Sequence, residues 1–169
     1  MTQQASATMP SGAGRDGNNG LAISLGLLVL RLALATIFIY HGGQKIFGWA
    51  HGPGMHGFTG FIAMQHLPLL PASVWAWMAA LAEFGGGCLT ALGLLTRLAQ
   101  IPLLVDMFVA TWVVRANGFA GAAGHAGYQW HLPLMAIMTM LLLAGGGLVS
   151  VDRLIFRRGF WSYGPQPLA

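Results

Sequence analysis

Four long apolar segments constrain this chain more than any other feature of its sequence. Each has roughly the 17–25 residues that an α-helix needs to cross a hydrocarbon core about 30 Å thick. Inside a bilayer, only helices and closed barrels satisfy every backbone hydrogen bond. The sequence therefore predicts an all-α integral membrane protein, a bundle of four transmembrane helices at residues 21–40, 73–95, 98–114 and 130–149.

Composition argues against the main alternative, which is an unusually apolar soluble domain. Hydrophobic residues make up 56% of the chain and charged residues only 7%, whereas soluble domains carry about 25% charged residues. A soluble fold of this length has too little interior to bury so much apolar surface. The net charge is +4, but the basic residues are mostly spread singly, so we expect no nucleic-acid partner.

Polar segments divide the chain into three parts. Residues 1–20, rich in Ser, Gly, Asn and Gln, predict a disordered N-terminal tail. Residues 21–154 form the four-span membrane domain, and residues 155–169 form a basic C-terminal tail. Between the first two spans, the apolar stretch 58–70 is too short to cross a bilayer, and we interpret it as an interfacial or re-entrant helix.

Basic residues predict the orientation of the spans. Four spans place both termini and the second loop on one side of the membrane. That side holds Arg15, Arg97, Arg153, Arg157 and Arg158, and the other side holds Lys45 and Arg115. Because cytoplasmic loops carry an excess of Lys and Arg, both termini are expected in the cytoplasm.

The histidines all fall on the opposite, outer half of the chain. They are His41, His51, His56, His66, His125 and His131. Imidazole is a common ligand of transition metals, but no two of these residues have the spacing of neighbours on one helix face. We therefore expect no bound metal.

Three ionisable residues lie deep within the predicted spans: Arg31, Glu83 and Asp106. A charge facing lipid costs at least about 2.5–3.5 kcal/mol, so we expect all three to face inward, with Arg31 paired to one or both acids. One cation and two carboxylates leave an unbalanced negative charge, which predicts that one acid is protonated near neutral pH. This trio is the candidate catalytic group. The alternative interpretation is a static polar network that holds the helices together.

Other polar and aromatic residues lie near the membrane boundary. The outer end of the first span carries His41, Gln44, Lys45 and Trp49. Their side chains suit an aromatic ligand with polar oxygens, such as a quinone, and they also suit anchoring to lipid headgroups. Arg97 lies two heptads after Glu83 in the sequence and so shares its helix face. The candidate substrate-binding residues are His41, Gln44, Lys45, Trp49, Arg97 and His131.

Several motifs resemble the DoxX family of small four-helix membrane proteins. They occur in the family's order between Leu27 and Leu154. The matching segments are Leu30–Leu34, Tyr40–Gly48, Gly57–Phe61, Ala80–Gly87, Leu92–Ala99, Asn117–Phe119 and Ser150–Leu154. The chain departs from the family pattern at Asp106, where an apolar residue is expected, and at Gln129, where a glutamate is common.

The resemblance implies a multi-pass protein of the bacterial inner membrane that is associated with an oxidoreductase. Its polar signature at matching positions would be Arg31, His41, Gln44, Lys45, Glu83 and Arg97. Relatives in the DoxD branch are similar to the membrane subunit of a thiosulfate:quinone oxidoreductase. We therefore expect a quinone as cofactor, lipid as surroundings and a redox subunit as partner, and we leave open a homo-oligomer. Because other distant relatives look like assembly factors, the alternative is a non-enzymatic membrane scaffold or chaperone.

Overall fold

A computed structural model of the chain describes residues 13–122 and 124–156, with side chains from residue 20 onward. Helices dominate these residues, as predicted. They are α1 (Ala13–Phe47), α2 (Gly54–Met64), α3 (Ala72–Leu92), α4 (Thr96–Val114), α5 (His131–Ala144) and α6 (Val151–Ile155). Short 3₁₀ turns occur at Trp49–His51, Arg115–Asn117 and Tyr128–Trp130. Two short antiparallel strands, β1 (Gly121–Ala122) and β2 (His125–Ala126), lie between α4 and α5.

The outer surface of the helices is strongly apolar. By length and composition, two helices in the described part of the chain are able to cross a membrane, namely Gly20–Phe47 and Thr96–Asn117, with mean hydropathies of 2.3 and 1.5. Large apolar side chains such as Val29, Phe108 and Leu143 are exposed. Extensive exposed apolar surface is typical of membrane contact. The number of crossings and the side of the termini stay predictions.

The helices pack around α3. It contacts α1 along much of its length, α4 on another side and α2 through a small cluster that contains Phe58 and Ala76. α5 packs mainly against α4. The core between α1, α4 and α5 is built from Leu34, Phe38, Leu103, Met138 and Leu141. These contacts bring the middle of α3 close to the last turn of α1 and to the face of α4.

Glycines fix the register of α1 against α3. A Cβ atom at Gly42 would lie 2.5 Å from the backbone nitrogen of Phe84, and one at Gly87 would lie 3.0 Å from Cγ1 of Ile39. The two helices are therefore antiparallel, with Gly42 level with Phe84. This register places Arg31 level with Gly93, just beyond the end of α3, where a Cβ atom would lie 2.4 Å from its Nη2.

Replacing Gly42 with Ala tests this register. The added methyl group has no space against the backbone of α3, so we expect Gly42→Ala to lower the free energy of unfolding by about 1–3 kcal/mol. Gly26→Ala is the matched control on the same helix, because nothing lies within 4 Å of its Cβ position. The control should be neutral or stabilising by up to about 1 kcal/mol. Thermal unfolding in detergent checks both, and equal effects would contradict the register.

Several element boundaries differ from the sequence predictions. α1 begins at Ala13, inside the segment predicted as disordered, and ends at Phe47, beyond residue 40. Once an apolar helix has formed, each further residue adds a hydrogen bond, which favours extension into polar residues. α2 covers Gly54–Met64 where the interfacial segment was predicted at 58–70. Of the two predicted tails, residues 1–12 and 157–169 lie outside the described residues.

α5 also ends earlier than the fourth predicted span, which was expected to end at residue 149. α5 ends at Ala144 because three glycines follow it. Gly145 and Gly147 have φ of 79° and 75°, a backbone conformation that glycine adopts far more readily than other residues. The chain thus leaves the helix early and turns back across the ends of α1 and α3.

Candidate functional site

Arg31 lies at the end of α3, where it joins backbone carbonyl groups. Its Nε donates to the Thr90 carbonyl at 2.9 Å and its Nη2 to the Ala91 carbonyl at 2.7 Å. Its Nη1 donates to the carbonyls of Gly146 at 2.9 Å and Val149 at 2.6 Å. Carbonyls at the end of a helix lack a partner within it. The buried guanidinium therefore links the end of α3 to the segment after α5, and we call this arrangement the Arg31 clamp.

The predicted pairing of Arg31 with Glu83 or Asp106 is wrong. The prediction counted depth from the first apolar residue of each segment, whereas the register of α1 on α3 places Arg31 level with Gly93. Seven residues of helix, roughly 10 Å, separate Glu83 from Thr90, which Arg31 contacts. For Arg31, the structure thus supports the alternative interpretation of a static polar network.

A buried polar network continues from the clamp. Gln100 donates from Nε2 to Thr90 Oγ1 at 2.9 Å. Asp152 of α6 accepts from the backbone N–H groups of Leu95 and Thr96, at 2.6 and 2.9 Å, and so caps the beginning of α4. A carboxylate at a helix N-terminus satisfies unpaired N–H groups and complements the helix dipole. These contacts hold together one end of the helical assembly.

The acid in the middle of α3 is paired with a lysine. Glu83 forms an ion pair with Lys45 from the last turn of α1, and the two side chains are 7% and 16% exposed. The Lys45 ammonium also lies 5.0 Å from the centre of the Phe58 ring of α2, a cation–π contact. The cation that meets Glu83 is therefore Lys45, which the sequence had assigned to substrate binding.

Asp106 of α4 lies beside this pair. It is close enough to interact electrostatically with both Glu83 and Lys45, and to share a hydrogen bond with Glu83 when one of the two acids is protonated. Its Oδ2 atom is buried and has no hydrogen-bond partner among the described residues. Two acids and one base from three helices thus form a compact group, which we call the Lys45–Glu83–Asp106 cluster.

The cluster lines a cavity of about 540 Å³ between α2, α3, α4 and the beginning of α5. Cavities that hold small organic ligands span roughly 300–1,000 Å³ and are mostly apolar with a few polar groups. Aromatic and aliphatic side chains form most of the wall. They include Phe58, Phe61, Ile62, Leu67, Trp75, Met78, Ile101, Val105, Val109 and Val113.

His131 adds a fourth polar group to the cavity wall. Its Nδ1 lies 2.9 Å from Oγ1 of Thr111, and this hydroxyl donates its hydrogen to the carbonyl of Met107 at 2.7 Å. Since the hydroxyl has one hydrogen, Nδ1 must be the donor in the contact with Thr111. Neutral His131 then carries its proton on Nδ1, and Nε2 is an acceptor. Sequence reasoning missed Thr111, although its spacing of four from Met107 on a helix indicates such a bond.

Like Arg31, four of the six candidate substrate-binding residues lie outside the cavity lining. Exposed His41 packs edge-on against Tyr40 at 5.6 Å, and Gln44 packs against the backbone of Gly52. Trp49 stacks on Phe47 at 5.2 Å. Arg97 lies beside Gly145, where a Cβ atom would be 3.3 Å from its Nε, so it belongs to the end of the assembly that the Arg31 clamp holds.

The structure thus brings together Lys45, Glu83, Asp106 and His131. Among the described residues, no three His, Cys, Asp or Glu side chains are grouped in a way that could hold a metal ion. The ionisable groups that line the cavity are therefore one ammonium, two carboxyl groups and one imidazole, and the indole N–H of Trp75 donates to the Pro68 carbonyl. They can hold and exchange protons beside an apolar ligand.

These features define a small helical membrane protein with an ionisable cluster buried in an apolar cavity. The DoxX family model matches residues 26–116, more than half of the chain, so the chain belongs to the DoxX family, as its motifs predicted. It is 30% identical to an uncharacterized membrane protein of Mycobacterium tuberculosis, over 78% of this chain and 82% of that one.

Two further relatives cover similar lengths. The inner membrane protein YqjF of Escherichia coli is 26% identical, over 79% of this chain and 95% of its own. A Bacillus subtilis protein named "Putative oxidoreductase CatD" is 29% identical, over 80% of this chain and 91% of its own. No solved structure matches the chain. The family and these relatives support the prediction of a membrane protein.

Proposed function

We propose that this chain is the membrane subunit of a quinone-linked oxidoreductase system in a bacterial inner membrane, and that its cavity binds the quinone. The observation that carries the proposal is the apolar cavity of about 540 Å³ with the Lys45–Glu83–Asp106 cluster and His131 in its wall. The names of two relatives, an inner membrane protein and a protein named "Putative oxidoreductase CatD", agree with this assignment.

The proposed topology has four crossings, by α1, α3, α4 and α5, with both termini in the cytoplasm. The shortest is α5, which with the preceding turn extends over Tyr128–Ala144, roughly 25 Å at 1.5 Å per residue. A bilayer accommodates such a length by local thinning or by snorkelling of flanking residues. In this topology α2 lies at the outer interface, and the cluster lies within the bilayer.

The shape and chemistry of the cavity suit a quinone. Phe58, Phe61 and Trp75 offer flat surfaces to an aromatic ring. Met78 and Val105 line the cavity and are also exposed on the apolar outer surface. The cavity therefore opens sideways, and an isoprenoid tail would extend from it into lipid.

The chain's own part in the reaction is the handling of protons. A quinone takes up two electrons and two protons when it is reduced. Glu83 forms an ion pair with Lys45, and Asp106 lies beside both, so a second negative charge at this place is unfavourable and a proton shared by the two acids is favoured. The Lys45–Glu83–Asp106 cluster is thus placed to take up or give up a proton beside the ring. The electrons come from a partner subunit or from a small reductant such as a reduced sulfur compound.

A membrane scaffold or assembly chaperone is the second candidate function. The observation that favours it is the Arg31 clamp, in which the most deeply buried charged group of the described residues only joins helix ends. In this case the cavity would have no ligand of its own. The binding experiment below separates the two functions.

Adding a short-chain ubiquinone analogue to the purified protein in detergent should raise its melting temperature. A ligand at 100 times its Kd stabilises the folded state by about 2.7 kcal/mol, which corresponds to roughly 5–10 °C for a chain of this size. The analogue should also quench tryptophan fluorescence, because Trp75 lines the cavity. Failure of a saturating analogue to change either signal would contradict quinone binding.

Tryptophan variants locate the quenching. Trp75→Phe should lose much of the quenching yet keep the rise in melting temperature, since phenylalanine preserves an aromatic wall. Trp112→Phe is the matched control, because Trp112 is exposed on α4 and does not line the cavity. Equal loss of quenching in both variants would indicate unspecific partition of the analogue into the detergent.

A further inference from the structure

The cavity presents more hydrogen-bond acceptors than donors to a ligand. The first acceptor is Oδ2 of Asp106, which is buried and has no partner among the described residues. The hydrogen bond between the Asp106 and Glu83 carboxyl groups needs a proton between them. Because Glu83 is ion-paired with Lys45 and Oδ2 of Asp106 has no partner among the described residues, we assign the shared proton to the other oxygen of Asp106, which donates it to Glu83. Oδ2 is then left as a carbonyl-type acceptor.

The second acceptor is Nε2 of His131. The contact with Thr111 requires the proton on Nδ1, so Nε2 of the neutral ring has a free lone pair. The ring lines the same cavity as Asp106. Asp106 and Thr111 are five residues apart on α4, so their backbone positions are separated by roughly 7–8 Å along the helix, and the two acceptors belong to different levels of the cavity wall.

The one donor that the cluster can offer to a ligand is Lys45, and most of its hydrogens are already in use. The Lys45 ammonium is held by Glu83 and lies over the Phe58 ring. It has hydrogens left for one ligand oxygen but is fixed at one end of the cavity. A quinone carbonyl only accepts hydrogen bonds, so it would place lone pairs against Asp106 Oδ2 and His131 Nε2. A hydroxyl group both donates and accepts, so it can satisfy these acceptors and also accept from Lys45.

We infer that the cavity binds the reduced, dihydroxy form of its ring ligand, a hydroquinone, at least tenfold more tightly than the quinone. The inference rests on the proposed function and adds which redox form the site selects. Buried acceptors left without donors are costly, which is why sites built for hydroxyl groups reject analogues that lack them. A tenfold preference raises the reduction potential of the bound two-electron couple by about 30 mV. The site would thereby favour reduction of its ligand.

Anaerobic binding of the two redox forms tests the inference. A short-chain ubiquinol and the matching ubiquinone are titrated separately into the purified full-length protein, and Kd is obtained from the rise in melting temperature and from tryptophan quenching. We expect a Kd for the quinol at least tenfold below that for the quinone. Binding of neither form would overturn the proposed function itself. Equal binding, or tighter binding of the quinone, would overturn only the present inference.

Variants of Asp106 test whether its oxygen accepts a hydrogen bond from the ligand or whether any change of this residue weakens binding. In Asp106→Asn, the amide can donate to Glu83 and present its oxygen to the ligand, so the quinol preference should remain. In Asp106→Leu, which has a similar volume and no acceptor, the preference should fall about tenfold. If the Asn and Leu variants behave alike, the assigned arrangement is wrong. Melting temperatures without ligand show whether each variant is folded.

His131→Phe tests the second acceptor. The ring shape is kept and Nε2 is lost, so quinol binding should weaken about tenfold while quinone binding changes little. The dimethyl ether of the quinol is the chemical control, because it has the oxygens but no hydrogen to donate. It should bind no better than the quinone. An ether that binds as tightly as the quinol would overturn the role of both acceptors.

Infrared spectroscopy checks the proton on Asp106 independently of any ligand. The protein at neutral pH should show the carbonyl band of a protonated carboxyl group, and Asp106→Asn should remove it. A spectrum without this band, or a band unchanged in the variant, would contradict the assignment of Oδ2 as an acceptor.

Discussion

Arg31→Leu is expected to destabilise the protein by on the order of 4 kcal/mol or more, or to prevent its accumulation in the membrane. The substitution removes the guanidinium donor from the carbonyls of Ala91, Gly146 and Val149, and it removes one of two donors from the Thr90 carbonyl, which also accepts from the Gly93 N–H group. Each unsatisfied buried polar group costs about 1–3 kcal/mol, and a hydrogen bond to a charged group contributes about 1.5–3 kcal/mol. Thermal unfolding in detergent and the amount of folded protein in membranes measure the effect.

Two further variants separate the clamp from a general need for positive charge. Arg31→Lys keeps the charge, but one ammonium cannot reach both helix ends, so about half of the loss should remain. Arg153→Leu removes an exposed arginine near the same end and should change stability by less than about 0.5 kcal/mol. An Arg31→Leu protein as stable as the unmodified chain would contradict the clamp. A stable Arg31→Lys protein that has lost quinone binding would instead support the original assignment of Arg31 to the catalytic group.

Lys45→Met is expected to cost about 3–5 kcal/mol, because it leaves the buried Glu83 charge without its partner. Glu83→Gln should cost less. In that variant Asp106 can release its proton and pair with Lys45 in place of Glu83, since it lies beside both residues. The double variant Lys45→Met/Glu83→Gln should be more stable than Lys45→Met alone, because no buried charge is left unpaired. Thermal unfolding of the unmodified protein, the two single variants and the double variant gives the coupling energy between Lys45 and Glu83.

The order of these effects decides whether the cluster is assigned correctly. A coupling near zero would mean that Lys45 and Glu83 act independently and do not form a buried pair. A Glu83→Gln protein that is less stable than Lys45→Met would show that Asp106 does not replace Glu83. Asp106→Asn/Glu83→Gln is the matched control for this replacement, since it leaves Lys45 with no acid, and its loss should approach that of Lys45→Met.

Much of the helical framework could be predicted from the sequence, because apolar segments of membrane-spanning length are a strong local signal. The family could also be predicted from its motifs, and the family model confirms it. Predicting that Glu83 and Asp106 lie near each other rested on the cost of placing charges in lipid, and the structure places the two acids side by side. Because this cost applies to a charge in any membrane helix, the prediction did not require knowledge of how the helices are packed.

The partner of each charge could not be predicted, because it depends on the register between helices. Depth counted along the sequence placed Arg31 opposite Glu83, whereas the contact of Gly42 with Phe84 shifts α1 so that Lys45 reaches Glu83. Nothing local in the sequence states that Gly42 is the contact point. The role of His131 depended on α5 beginning at that residue and on its contact with Thr111, which is again a matter of tertiary structure.

Photoaffinity labelling in the native membrane shows where a quinone binds on the protein. The protein would be labelled with a photoreactive quinone and its modified peptides identified by mass spectrometry. We expect labels in Trp75–Glu83 of α3 and in residues 101–114 of α4, and their loss when excess unlabelled quinol is present. Labels concentrated near Arg31, or spread over the exposed apolar faces without competition, would contradict a quinone site in this cavity.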